Sequence, residues 1–271
     1  MNIWQAFVDI IAGALTTFAH LIAGLGIPYS FGFAIILFTL LIKLITLPLT
    51  FQQLRASKAM QELQPQLQEL QKKYKGDREK LSQAQMQMYK EAGVNPLGGC
   101  LPTLIQLPVW FALYRALFNL ANQGGLSEGF FWIPSLAEPR NLSWLWPLPP
   151  SVGWATAIAF MVLPILTVIS QIIVQRMMTP PSADTQQASM NQMMMFMPLM
   201  FGFFALQVPQ GLALYWVTSN IFSLIQQYFV TGWGGVKSAI SPAKESAKSE
   251  IESSASDTKR TKKNGKRKRK N

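Results

Sequence analysis

The 271-residue chain is 49% hydrophobic and 14% charged, against about 25% charged in an ordinary soluble domain, so its class is integral membrane. Its single cysteine, Cys100, excludes an internal disulfide framework and supplies too few thiolates for a typical structural zinc site. The net charge of +11 is unevenly placed, with eight Lys and Arg in Arg55 to Lys90, twelve from Lys237 onward and four elsewhere, and both clusters should face the cytoplasm.

Residues 1–30 mix Trp4, Phe7, Ile10, Ile11 and Leu15 with Gln5, Asp9 and the lone His20. This composition suits a helix lying in the outer membrane interface followed by a linker, with an additional span as the alternative. No Lys or Arg precedes residue 43, so the basic start of a cleavable signal peptide is missing and the first span is expected to be its own targeting signal.

That first span, 31–54, contains FGFAIILFTLLIKLITLPLT, long enough to cross a bilayer and yet carrying a lysine well inside it. Thr39, Lys43, Thr46 and Thr50 follow spacings of 4, 3 and 4 and share one helix face, while Ile, Leu and Phe cover the rest. A charge at such a depth costs about 2.5–3.5 kcal/mol on insertion scales. It needs water or a partner, and the threonine stripe favours a polar cavity over simple snorkelling of the lysine stem.

Residues 55–93 are polar and charged, with Met60, Leu63, Leu67, Leu70 and Tyr74 on a narrow apolar seam. Gly76 and Asp77 supply a stop and a new start, and Leu81, Ala84 and Met88 continue the stripe up to Gly93 and Pro96. The pattern predicts a cytoplasmic helical hairpin whose first arm is kinked by Pro65. The second span, 94–121, contains Pro102, Pro108 and Gly98-Gly99, irregularities a membrane tolerates when neighbouring helices satisfy the freed backbone groups. Residues 122–152 form an outer loop with Trp132, Trp144 and Trp146 and one basic residue, Arg140.

The third span, 153–177, carries Thr167, Gln171 and Gln175 on one face of its inner half. A polar loop, 178–189, leads to the fourth span, 190–207, whose start MNQMMMFMPLM holds six of the thirteen methionines and offers an unbranched, polarizable surface. In the fifth span, 208–230, Trp216, Asn220, Ser223 and Gln227 repeat the 4, 3, 4 spacing. The tail, 231–271, ends in fourteen residues with nine Lys or Arg and is expected to be disordered and electrostatically sticky.

These elements predict an all-α integral membrane fold: a five-helix transmembrane bundle with a cytoplasmic helical hairpin and an inward-open polar groove. With the N-terminus outside and the C-terminus in the cytoplasm, the hairpin, the methionine loop and the basic tail fall inside and Arg140 outside. The polar residues of spans 1, 3 and 5 cluster toward the cytoplasm, which predicts a pocket closed on its outer side.

All thirteen Asp and Glu lie outside the five spans, so the carboxylate relay of a proton-coupled transporter is absent. His20 and Cys100 are expected on opposite sides of the membrane, so no catalytic dyad forms from them. Nor is there a glycine-rich nucleotide loop ending in Lys-Ser or Lys-Thr. The chain is therefore read as a non-enzyme without cofactors or metals, with a substrate-specific transporter or channel subunit as the alternative function.

The ordered segments TLLIKLITLPL, SKAMQELQP, NPLGGCLPTLIQLPVWFALY and GLALYWVTSNIFSLIQQY resemble those of the YidC and Oxa-type membrane protein insertases, across nearly all of residues 30–230, in a short form without a large periplasmic domain. The resemblance implies a membrane insertase and chaperone of a bacterial-type inner (plasma) membrane, whose positively charged groove receives the hydrophilic part of an incoming protein. By this resemblance Lys43 matches the groove cation, usually Arg in the family, Thr39 lies one turn before it, and Trp216 falls at a substrate-contacting aromatic position. The expected groove residues are Lys43, Thr39, Thr46, Gln171, Gln175, Trp216 and Asn220. The expected partners are nascent membrane proteins, the ribosome through the basic tail, membrane lipids and, as a candidate, a Sec-type translocon.

Overall fold

The computed structural model describes residues 2–95, 101–145, 151–178 and 196–232. Cys100, most of the methionine run and the basic tail lie outside them. The regular structure of the described residues is helical, and their only β pairing is an isolated bridge between Phe130 and Ile133 in the loop after residue 122.

Helix α1 (Ile3–Gly24) starts at Asn2, whose side chain accepts the Trp4 N–H, and buries Val8, Ile11, Leu15 and Ala19, one residue per turn. Tyr29 turns the chain in the left-handed region, at φ 61°, into α2 (Ser30–Ile45). Thr46 then ends α2, and the following helix α3 (Leu47–Glu62) leaves at 64°. The reason is local: Pro48 has no N–H to give the Leu44 carbonyl, and Thr46 doubles both its N–H (2.9 Å) and its hydroxyl (2.8 Å) on the Ile42 carbonyl. The segment read as one span over 31–54 is thus two helices meeting at Thr46, three residues after Lys43.

Pro65 has the same effect one level down, where α3 gives way at Leu63 to α4 (Gln64–Lys73). After Gly76 (φ 98°), Asp77 caps α5 (Arg78–Glu91) by accepting the Lys80 N–H at 3.1 Å. That bond, with the Lys80 ammonium behind it, holds the Asp77 carboxyl below its ordinary range. The hairpin is rooted in the bundle by Gln61, whose amide donates to the Met177 and Met178 carbonyls at 3.2 and 3.0 Å.

Among the described residues four further α-helices follow: α6 (Leu101–Asn122), α7 (Trp154–Met178), α8 (Phe196–Ala205) and α9 (Gln210–Thr231). Helix α9 is central, packing on α7, α2, α6 and α3, while α1 packs on α2 and α6. Their shared core runs from Val8 and Leu15 through Ile35, Leu113 and Leu117 to Leu212 and Ala213. On the outside of the bundle Leu37, Leu41, Leu44, Ile158, Ile165, Ile169 and Ile221 are exposed, the surface a helix presents to lipid rather than water. By length and composition α1 and α7 each suffice to cross a membrane, and the bent pair α2–α3 makes a third candidate. Helix α1, read from its mixed composition as interfacial, is therefore apolar enough for either placement.

The loop after α6 stitches one end of the bundle together. Glu128 accepts the Ser30 N–H (3.0 Å), the Ser30 hydroxyl (3.1 Å) and the Phe31 N–H (3.3 Å), placing a carboxylate on the first turn of α2. Arg140 donates to the Ala121 carbonyl and the Asn122 side chain, placing a guanidinium on the last turn of α6. The Glu138 and Leu136 carbonyls accept the Gln210 and Gly211 N–H groups that open α9, and the Trp144 indole donates to the Leu206 carbonyl. Glu128→Gln, which keeps the shape and removes the charge, is expected to cost about 1–2 kcal/mol, read as a lower midpoint of thermal unfolding in detergent. An unchanged midpoint would show that the carboxylate contributes nothing to seating the loop.

Candidate functional site

A cavity of about 280 Å³ lies at the opposite, hairpin end of the bundle, where α2 bends into α3 beside the last turns of α7 and the second half of α9. Among the described residues Lys43 is the one charged side chain in its wall, and no described Asp or Glu lines it. The Lys43 ammonium donates to the Ser223 hydroxyl at 2.9 Å, and Ser223 donates to the Ser219 carbonyl at 2.9 Å, so the cation rests on a neutral oxygen. An ammonium has three donors. Ser223 occupies one of them, and the net charge of the wall stays at one positive unit.

The rest of the wall is amide and hydroxyl. Gln171 enters from α7, Asn220 and Gln227 from α9, Thr46, Thr50 and Gln53 from the bend and α3, and Gln106 from α6. Several are held in place from behind. The Asn220 amide donates to the Ser170 hydroxyl at 3.0 Å, Ser170 donates to the Thr167 carbonyl at 3.1 Å, and the Gln106 amide donates to the Tyr215 hydroxyl at 3.0 Å. Neutral donors and acceptors around one cation suit a hydrophilic, acid-bearing guest.

Of the seven residues expected in the groove, Lys43, Thr46, Gln171 and Asn220 come together in this wall. Thr39 does not reach it. Its hydroxyl is fully buried and donates to the Ile35 carbonyl of its own helix at 2.6 Å. Gln175 lies a turn beyond Gln171 on α7 and is not among the lining residues. Trp216 is buried one turn before Asn220, stacked at 5.9 Å on Trp110 of α6 and edge-on to Phe201 of α8 at 5.7 Å. It is part of an aromatic joint between three helices. Sequence reasoning passed over Gln106, Gln53 and Ser219. Gln106 had a visible signal, since it is the lone amide inside the apolar run LPTLIQLPVW.

A family model described as 60Kd inner membrane protein matches residues 23–234. The chain is 43% identical over 249 residues to Inner membrane protein ALBINO3, chloroplastic, of Arabidopsis thaliana, covering 86% of this chain and 54% of that protein. It is 48% identical over 212 residues to Inner membrane ALBINO3-like protein 2, chloroplastic, of Chlamydomonas reinhardtii, covering 75% and 50%. It is 41% identical over 204 residues to Membrane protein insertase YidC of Syntrophobacter fumaroxidans, covering 74% and 34%. The chain thus spans about half the length of these chloroplast relatives and about a third of the bacterial one.

Proposed function

The chain belongs to the 60Kd inner membrane protein family, which includes the YidC and ALBINO3 proteins, and on that premise we propose that it is an insertase and chaperone for nascent membrane proteins. Five spans, α2 with α3, α6, α7, α8 and α9, enclose a groove that takes the hydrophilic segment of a client while its apolar helix partitions into lipid. The observation that carries this reading is Lys43, a cation with no acid partner among the described residues, in an amide-lined cavity at one end of a bundle whose other end is tied together by the Glu128 and Arg140 contacts. A through-pore would need polar lining past that tied end.

Insertion of this kind needs no covalent chemistry. Burying apolar client surface yields about 25 cal/mol per Å², and the groove lowers the cost of carrying the polar segment across. Lys43, Thr46, Gln171 and Asn220 contact that segment, and Gln175 extends the amide row along α7. Thr39 and Trp216 act by positioning, Thr39 by keying α2 into the core and Trp216 by locking α8 to α6. The membrane is a bacterial-type plasma membrane, with the N-terminus outside and the hairpin and tail in the cytoplasm.

Photo-crosslinkers at positions 171 and 220 are expected to capture a stalled nascent chain, and one at position 35, buried beneath α9, is not. Capture confined to position 35, or absent from all three, would overturn the cavity as the client site. The basic tail serves as the ribosome contact, because nine Lys or Arg in its last fourteen residues bind a phosphate backbone by counterion release. Deleting residues 237–271 is expected to weaken co-sedimentation with ribosomes at low salt, whereas undiminished co-sedimentation would move the contact to the α4–α5 hairpin. Lipid headgroups and a Sec-type translocon are the remaining proposed partners.

A further inference from the structure

A second cation, Arg115, stands on the side of α6 away from the Lys43 cavity. Arg115 is exposed and makes no hydrogen bond or ion pair among the described residues. It lies seven residues before Asn122, the last residue of α6, or about 10 Å along the helix axis from that end. There the hydrocarbon region approaches the headgroups, and a guanidinium on a long stem reaches outward rather than remaining in lipid. The side chain borders a furrow of about 660 Å³ whose other walls are Trp4, Leu107, Pro108, Phe111 and Tyr114. The furrow combines an apolar channel along α6, two aromatic groups of the kind found at membrane interfaces, and one positive charge at its end. None of its lining residues is acidic.

We propose that this furrow holds one anionic phospholipid, with an acyl chain lying along Leu107, Pro108 and Phe111 and the phosphate paired with Arg115. Three observations choose this occupant. The fork of a guanidinium matches phosphate oxygens in a bidentate arrangement. A headgroup with net negative charge neutralises Arg115 completely, whereas a zwitterionic one brings its own cation. The apolar walls begin beside the charge and run away from the Asn122 end, the order of parts in a phospholipid molecule. The site is separate from the Lys43 cavity, which α6 lines through Gln106.

The inference rests on the proposed reading that α6 crosses the bilayer, and the two are separable. In a Cys100→Ser background, Asn95→Cys and Asn122→Cys are labelled from opposite sides of the membrane if α6 crosses it, and labelling of both from one side overturns that reading and the lipid site with it. The furrow itself is tested by placing the full chain in nanodiscs of equal phosphatidylglycerol and phosphatidylcholine, then weighing the lipids retained after release. The unaltered chain should keep phosphatidylglycerol preferentially. Arg115→Gln should lower the retained phosphatidylglycerol to phosphatidylcholine ratio about tenfold, and Arg115→Lys should preserve most of it. A ratio unchanged in Arg115→Gln overturns the proposal, as does a mass showing a second protein chain released by that substitution. Should Arg115→Gln not purify, the unaltered chain still decides the matter. Phosphatidylglycerol with brominated chains should quench a tryptophan signal that Trp4→Phe removes, and quenching no greater than that by brominated phosphatidylcholine overturns the site.

Discussion

Lys43→Ala is expected to slow insertion of clients whose translocated segment carries Asp or Glu by about tenfold or more, Lys43→Glu to slow it further, and Lys43→Arg to preserve it. At 4 Å and an effective dielectric near 20, two unit charges attract by about 4 kcal/mol before desolvation is set against them. If only a third of that survives, the change is still about tenfold in rate. Arginine retains the charge, and Ser223, which accepts from Lys43 at 2.9 Å, offers its oxygen equally to a guanidinium. Glutamate would put a like charge opposite the client's acid. The measurement is insertion into proteoliposomes of two clients differing only in the charge of the translocated segment. Equal rates for parent and Lys43→Ala on the acidic client would remove the cation from the mechanism.

The second large effect is expected at Gly32, where α2 and the outer loop meet. A Cβ there would stand 1.9 Å from the Phe130 ring. Phe130 has little freedom to retreat, since it packs against Tyr29, Phe33 and Phe131 at ring separations of 6.0, 5.4 and 4.7 Å. Overpacking of this kind costs about 1–3 kcal/mol, and Gly32→Ala belongs at the upper end because the carboxylate that holds the loop, Glu128, binds only two residues away. The midpoint of thermal unfolding in detergent should fall by roughly 5–10 °C. Adding Phe130→Ala should recover part of the loss, since the two substitutions share one volume. A midpoint unmoved by Gly32→Ala would mean that the loop is not seated on α2.

Much of the cavity was legible because helical periodicity reports which side chains share a face. Lys43 and Thr46, and Asn220, Ser223 and Gln227, line the cavity as their spacing implies. Periodicity does not report what a face packs against, and two of the three residues that fall elsewhere, Thr39 and Trp216, show it. Thr39 shares the stripe of Lys43, yet at its level α2 is already inside the core and the hydroxyl has only the Ile35 carbonyl to satisfy it. Trp216 shares the stripe of Asn220, yet one turn further from the hairpin end that stripe meets Trp110 and Phe204. The 64° turn at Thr46 had its cause in plain view at Pro48, but a proline at the edge of an apolar run reads equally as a tolerated irregularity in a span. The Glu128 contact joins residues 98 apart in sequence, and no local pattern announces it.

Because the loop contacts gather the ends of α2, α6 and α9 at one point while the cavity lies at the other, the bundle has the mechanics of tongs. A 22-residue helix is about 33 Å long, so a tilt of about 5° at the clasped end carries the free end through about 3 Å. Such a swing leaves the Glu128 and Arg140 contacts intact, since bonds at a pivot hardly change length. On the proposed function, jaws hinged in this way would widen around a bulky polar segment or settle around a slender one without parting the contacts at the far side. Stiffness at the pivot and reach at the jaws are then a single property: whatever loosens the first should shorten the second.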